Sequence, residues 1–263
     1  MKKTGRFLVS LKNLVLPVLI FLIPAQLGYH FWPDFAHVFG IRVDYLSPTI
    51  YLTDVLILSL FIFWLRTKPK IDRRTIVWII SFLLFAFINI SLAKNTGAAL
   101  YKWIKILELV FFGYYLSSLK GLDIKKQIIV PLTASILFFS SVGILQFLKQ
   151  GALAGRLYFL GERSFSSTSP GIALVNISGA QYLRTYSTFS HPNSFAGFLA
   201  TGLILLAFSK QSRRLKIPVF TLGLTALFLS FSLGALLGLG IVLLFYLITR
   251  VSIRTFKKSL IAI

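Results

Sequence analysis

RTYSTFSHPN, residues 184–193, runs almost directly into the apolar stretch 195–208, and that junction governs how the rest of the chain is read. It has the composition of a helix mouth, with groups that meet water followed by groups that seek an apolar medium. A helix N-terminus carries unpaired backbone N–H groups and the positive end of the helix dipole. With Arg184 and His191 beside it, such an end favours an anion, above all a phosphate. Pro192 suits the first turn because it has no N–H to leave unpaired. Asn193 or Ser190 is expected to cap the helix. The plainer alternative is an ordinary capped helix start beneath a polar loop.

Hydrophobic residues make up 56% of the chain and charged ones 13%, far from the balance of a soluble domain. Apolar runs of about twenty residues recur, enough to cross a hydrocarbon layer of ~30 Å. The expected fold is all-α: one transmembrane domain over 1–263, of about eight helices, with a long extracytoplasmic loop at 149–192. The net charge of +21 does not point to nucleic acid, because the charges sit in short connectors between apolar runs. Lys2, Lys3, Arg6 and Lys12 precede the first run. Arg66, Lys68, Lys70, Arg73 and Arg74 follow the second, and Lys120, Lys125 and Lys126 follow the fourth. Lys210, Arg213, Arg214 and Lys216 follow the sixth, and Arg250, Arg254, Lys257 and Lys258 the eighth. These five groups hold 20 of the 28 lysines and arginines, which marks them as cytoplasmic, N-terminus included. With no cysteine, three histidines and scattered carboxylates, neither disulfide, thiolate nor metal-ligand spacing is present, and no cofactor is expected.

The spans are expected at about 14–27, 49–65, 75–92, 99–119, 127–148 and 195–208. Two more share the apolar run that starts at Ile217, turning near Ser230, Ser232 and Gly234 and ending near Thr249. The first is read as retained, a cleaved signal peptide being the alternative. Segment 29–48 is rich in aromatics, which favour the membrane interface, and its His30 and His37 read as polar surface rather than ligands. Asp54 either pairs with a lysine or caps its helix. In the fourth span Lys102, Lys105 and Glu108 fall at every third residue, so neighbours meet on the helix surface. Lys102 lies about 5 Å below the outer edge and can snorkel, while Glu108 lies about 14 Å in. Such depth favours pairing of Lys105 with Glu108. The competing reading gives Lys102 and Lys105 to an anionic substrate. In the long loop, residues 156–160 and 172–177 read as short strands. Arg156, Arg163 and Arg184 stand there against the usual charge bias, for an anionic ligand or for lipid headgroups.

Arg184, Thr188, Phe189, His191, Pro192 and Asn193 resemble the R-x-x-x-T-F-x-H-P-N signature of the O-antigen ligase and polymerase family. Ser232, Leu233, Gly234 and Ala235 resemble that family's S-R-G-A motif, with Leu233 in place of the arginine. The resemblance implies a polytopic glycosyltransferase of the cytoplasmic membrane that uses a polyprenyl-diphosphate-linked glycan donor and a glycan, lipid or protein acceptor. It runs along the whole chain, yet the family continues into a further outer loop and spans. The chain is therefore expected to be an N-terminal portion, inactive alone. Arg184 and Lys102, then Arg163, Arg156 and Lys105, are the candidate diphosphate ligands, and His191 is the candidate base. Thr188, Pro192, Asn193, Ser232 and Glu108 are expected to serve structure. The competing classes are an anion or solute transporter, for which no pair of broken helices in matching halves is seen, and a truncated scaffold without chemistry.

Because the chain has no native cysteine, a single cysteine placed at Ser167 reports the sidedness of the loop. An impermeant thiol reagent is expected to label it in intact cells once outer barriers are removed. Labelling that requires membrane lysis would reverse the topology.

Overall fold

The computed structural model describes residues 14–119 and 121–261, with 250–261 described by backbone alone. Lys2, Lys3, Arg6, Lys12, Lys120 and Ile263 of the sequence reading lie outside the described residues, as do the side chains of Arg250, Arg254, Lys257 and Lys258. The described chain is mostly helical: α1 (residues 14–22), α2 (Leu52–Arg66), α3 (Arg73–Leu92), α4 (Thr96–Ser118), α5 (Val130–Lys149), α6 (Pro192–Phe208), α7 (Arg213–Leu229) and α8 (Leu233–Ile261). Two stretches, Arg73–Leu92 and Lys125–Lys149, are long and apolar enough to cross a membrane; Pro192–Phe208 and Leu233–Thr249 are shorter apolar helices. Almost none of α3 is covered by the rest of the chain, whereas half of α5 is.

The helices start where short polar side chains meet the first free N–H groups. Asp72 accepts the Thr75 amide at 2.9 Å and its hydroxyl at 2.7 Å, and Asn95 accepts the Ala98 amide at 2.9 Å. Those hydrogen bonds hold the Asp72 carboxyl below its ordinary range. Asp54, three residues into α2, accepts the Tyr51 amide at 2.7 Å.

Two compact units form, one around α1–α4 and one around residues 24–26 with α5–α8. In the first, α2 and α4 join through edge-on aromatic contacts, Phe61 to Phe111 at 4.8 Å and Trp64 to Tyr114 at 5.9 Å. Trp103 of α4 packs on Phe82 and Phe85 of α3 and donates to Asn89 Oδ1 at 2.9 Å. The aromatic segment before α2 is more ordered than an interfacial loop. Strands β1 (Gly28–His30) and β4 (Thr49–Tyr51) pair antiparallel, enclosing the small hairpin of β2 (His37–Val38) and β3 (Ile41–Arg42). His30 is bonded to Thr49 at 2.9 Å and His37 to the Pro33 carbonyl at 3.1 Å.

In the second unit, α5, α6 and α7 close on one another through glycines. A Cβ on Gly202 would stand 2.7 Å from Ile136 Cδ1, one on Gly223 2.9 Å from Leu203 Cδ2, and one on Gly143 2.9 Å from Phe195 Cε1. Ile136, Phe195 and Leu203 are themselves fully buried. Residues 156–160, read as a strand, instead belong to a 3₁₀ turn (Gly155–Leu160). The reason lies at its ends, where Ala154 (φ 66°), Gly155 (φ 70°) and Gly161 (φ 88°) bend the chain too tightly for an extended segment. The second expected strand holds in its later part, as β5 (Leu174–Ile177), paired antiparallel with β6 (Ala180–Leu183).

Since the glycine contacts are already close, Gly202→Val is expected to destabilise the second unit by roughly 1–3 kcal/mol through overpacking. Thermal unfolding of the purified protein in detergent measures this. Gly40→Ala, at a position open to solvent though at φ 76°, serves as the comparison, with the smaller loss.

Candidate functional site

The stretch 184–193 ties three parts of the second unit together. Its first two residues close the C-terminal end of α7. Arg184 Nε donates to the Ser230 carbonyl at 2.6 Å, the Thr185 amide donates to Leu229 O at 3.2 Å, and Thr185 Oγ1 to Ala226 O at 3.0 Å. A helix C-terminus exposes unpaired carbonyls at the negative end of its dipole, so an arginine there is favoured twice. Thr188, buried, donates to the Pro24 carbonyl at 2.5 Å. The Tyr186 hydroxyl accepts the Ala173 amide at 2.6 Å, which docks the hairpin of β5 and β6.

The last residues begin α6. Pro192 takes the first helical position, as expected. The cap is neither Asn193 nor Ser190 but His191, whose Nδ1 accepts the Asn193 amide at 3.2 Å. The Asn193 side chain is engaged elsewhere. Asn193 Oδ1 accepts from Arg184 Nη2 at 2.6 Å, and the Ser190 carbonyl accepts from Arg163 Nη2 at 2.6 Å. As an acceptor, Nδ1 carries no proton, so the ring is neutral with its proton on Nε2. Burial, and then the nearby Arg184 charge, push the His191 pKa down from its ordinary value.

Between α7 and α8 the chain turns at Phe231, which sits in the left-handed region at φ 48°. Its carbonyl lies 3.4 Å from Arg184 Nη2. Ser232 follows, buried, and its carbonyl receives the Leu236 amide at 3.1 Å as α8 begins. The first turns of α6 and α8 therefore flank Arg184. They enclose an open cleft of about 600 Å³ lined by Arg184, Asn193, Gly197, Phe231, Ser232 and residues 233–235. No carboxylate lines it. Leu233, at the position where the resemblance expects arginine, contributes an exposed apolar side chain. Burial pushes the Arg184 pKa down, yet a guanidinium stays charged at any working pH. With Nε and Nη2 engaged, Nη1 is the donor left to face a ligand.

None of the other candidate ligands lines this cleft. Arg163 lies beside the α6 mouth through Ser190, while Arg156 is exposed on the 3₁₀ turn. Lys102 and Lys105 belong to α4 in the first unit. Lys102 is exposed. Lys105 is held by Asp54 and stands 3.7 Å from Glu108.

Glu162 was missed in the sequence. Its buried carboxylate accepts Gln146 Nε2 and the Leu153 and Ala154 amides, each at 2.7 Å. Gln146 also donates to the Ser187 carbonyl at 2.8 Å, so this carboxylate organises the loop around the 184–193 stretch. The signal was present, since Glu162 is the one acid between 149 and 192. Comparison with known families, with curated proteins and with solved structures finds no match.

The His191 cap makes a pH prediction. With its folded pKa depressed below the ordinary 6.5, the unfolded chain takes up the proton first as pH falls. The cap's contribution is therefore fully present above about 6.5 and is lost below it. The protection of the Asn193 amide, its exchange rate relative to the intrinsic rate at each pH, is expected to fall between pH 7.5 and 5.5. In His191→Asn, whose side chain caps without titrating, that extra loss of protection over neighbouring amides should vanish.

Proposed function

We propose that the chain is a polytopic protein of the cytoplasmic membrane, and that the Arg184 cleft binds the diphosphate of a polyprenyl-linked glycan at the outer face. The charge distribution among the connectors supports the membrane reading, together with the uncovered apolar surface of α3. The shorter apolar helices and the charged α4 then cross the membrane as well, and the 149–192 loop lies outside. The resemblance of 184–193 and 232–235 to the O-antigen ligase family supports the chemistry of the ligand.

One observation carries the binding proposal: a fixed guanidinium lies between the first turns of two helices, in a cleft without a carboxylate. Both helices bring the positive ends of their dipoles to this cleft; in α6 the amides of Asn193, Ser194 and Phe195 are already bonded to His191, so that helix contributes its dipole and not free donors. Asn193 and Ser230 hold the guanidinium in place before any ligand arrives, so little ordering entropy is lost on binding. In glycan transfer an acceptor hydroxyl attacks the anomeric carbon, the bond from that carbon to the diphosphate oxygen breaks, and the diphosphate departs with the bonding electrons while the hydroxyl proton passes to it or to water. Groups that favour the departing charge lower the barrier. The chain's own contribution is Arg184 with the two helix ends; His191, whose Nδ1 already caps α6, serves position rather than proton transfer.

Binding of a radiolabelled polyprenyl-diphosphate glycan to protein in nanodiscs tests this. Arg184→Ala is expected to weaken binding on the order of 30-fold or more, and Asn193→Ala by about tenfold, the scale of hydrogen bonds to charged groups. Arg184→Lys keeps the charge but gives up the Nε anchor to Ser230, and falls between wild type and alanine. Unfolding midpoints measured alongside separate lost ligand contacts from a loosened turn. Unchanged binding in well-folded Arg184→Ala would reject the assignment.

A further inference from the structure

The first unit holds a second cavity, of about 350 Å³, that the Arg184 reading does not use. Leu19, Ile23, Ile57, Leu109 and Phe112 give it apolar walls. Two carboxylates and one ammonium line it: Asp54 from α2, and Lys105 and Glu108 from α4. Lys105 binds Asp54 directly and stands 3.7 Å from Glu108 Oε2. Its ammonium also faces the Tyr51 and Tyr101 rings, 5.2 and 5.6 Å from their centroids. The other carboxylate oxygen, Glu108 Oε1, is buried and has no hydrogen-bond partner among the described residues.

The charges do not cancel. One ammonium serves two carboxylates, and an uncompensated charge among apolar walls is costly. The N-terminal end of α2 offsets about half a charge, but that falls on Asp54, which accepts the Tyr51 amide. Glu108 is left sharing an ammonium that Asp54 holds more closely. The groups facing it are Asp54, Lys105 and the two phenols; residues 19 and 23 of the adjoining segment bring only carbon.

We propose that this cavity is a binding site for one monovalent positive charge, a proton or an alkali cation, taken at Glu108 Oε1. The site stands independently of the diphosphate assignment. With the charge bound, the cluster is neutral and α2 and α4 are held together; without it, the carboxylates repel across Lys105.

Two measurements on the full chain in nanodiscs test the site. The first is the thermal midpoint in NaCl or KCl against N-methylglucamine chloride at equal ionic strength, and then at pH 8 against pH 6 without alkali cation. A ligand that binds only the folded state raises the midpoint, so a rise of a few degrees is expected in one arm. Glu108→Gln, neutral already, should lose that response. The second uses the unmodified protein, so it does not depend on the variant folding. Dicyclohexylcarbodiimide adds to protonated carboxyls in apolar surroundings, and peptide mass mapping is expected to find it on Glu108. Labelling that rises with acid and ignores sodium identifies the proton; labelling slowed by sodium or potassium identifies the metal cation. Glu108 left unlabelled at every pH, with no cation- or pH-dependent midpoint that distinguishes wild type from Glu108→Gln, would overturn the proposal and leave a structural ion pair only.

Discussion

The C-terminal carbonyls of α7 must find donors, and the rest of the second unit is arranged around that need. Leu229 and Ser230 end a helix with their oxygens unpaired by helical bonds from beyond, and Thr185 and Arg184 supply the donors; Ala226 O, which already takes the Ser230 amide, also accepts the Thr185 hydroxyl. Because those two residues lie just upstream of α6, closing α7 also sets where α6 begins. The turn at Phe231 then starts α8 beside it. Two helix N-termini and one guanidinium are brought together by a requirement that is structural in origin. The site's positive character follows from how the backbone is satisfied.

The same arrangement limits how Arg184 acts. A free guanidinium offers two parallel donors to a phosphate. Here Nε is taken by Ser230 and Nη2 by Asn193, with Phe231 nearby. The residue therefore serves as a fixed positive group, with the helix dipoles beside it and Nη1 the nitrogen not engaged among the described residues, more than as an open fork. In the first unit, balance is struck differently: Lys105 is drawn between two carboxylates, and positive charge there serves the protein before any ligand.

The helical layout was legible in the sequence because apolar runs and charged connectors alternate so strongly, and most helix ends fall within a few residues of those expected; the exceptions are α1, which stops at 22 rather than 27, and α8, which continues to Ile261 rather than ending near Thr249. The turn near Ser230–Ser232 and the pairing of Lys105 with Glu108 were readable from local spacing. Three things were not. Strands β1 and β4 pair residues about twenty apart, and their aromatics mask any alternation. The 3₁₀ turn at 155–160 is set by positive φ at Ala154, which no propensity announces. The anchoring of Arg184 depends on carbonyls 46 and 47 residues away, and main-chain oxygens carry no sequence signature. Hence 184–193 could be seen as a helix mouth, but not as the cap of another helix.

The most direct test of the central claim is to map where the diphosphate rests. A polyprenyl diphosphate with a photoreactive group next to its phosphates, irradiated on the protein in nanodiscs and followed by peptide mass spectrometry, reports contact without altering any residue. The account predicts adducts within 184–197 and 230–236, competed away by unmodified polyprenyl diphosphate. Competable adducts confined to α2 and α4, with none at the α6 and α8 mouths, would contradict it.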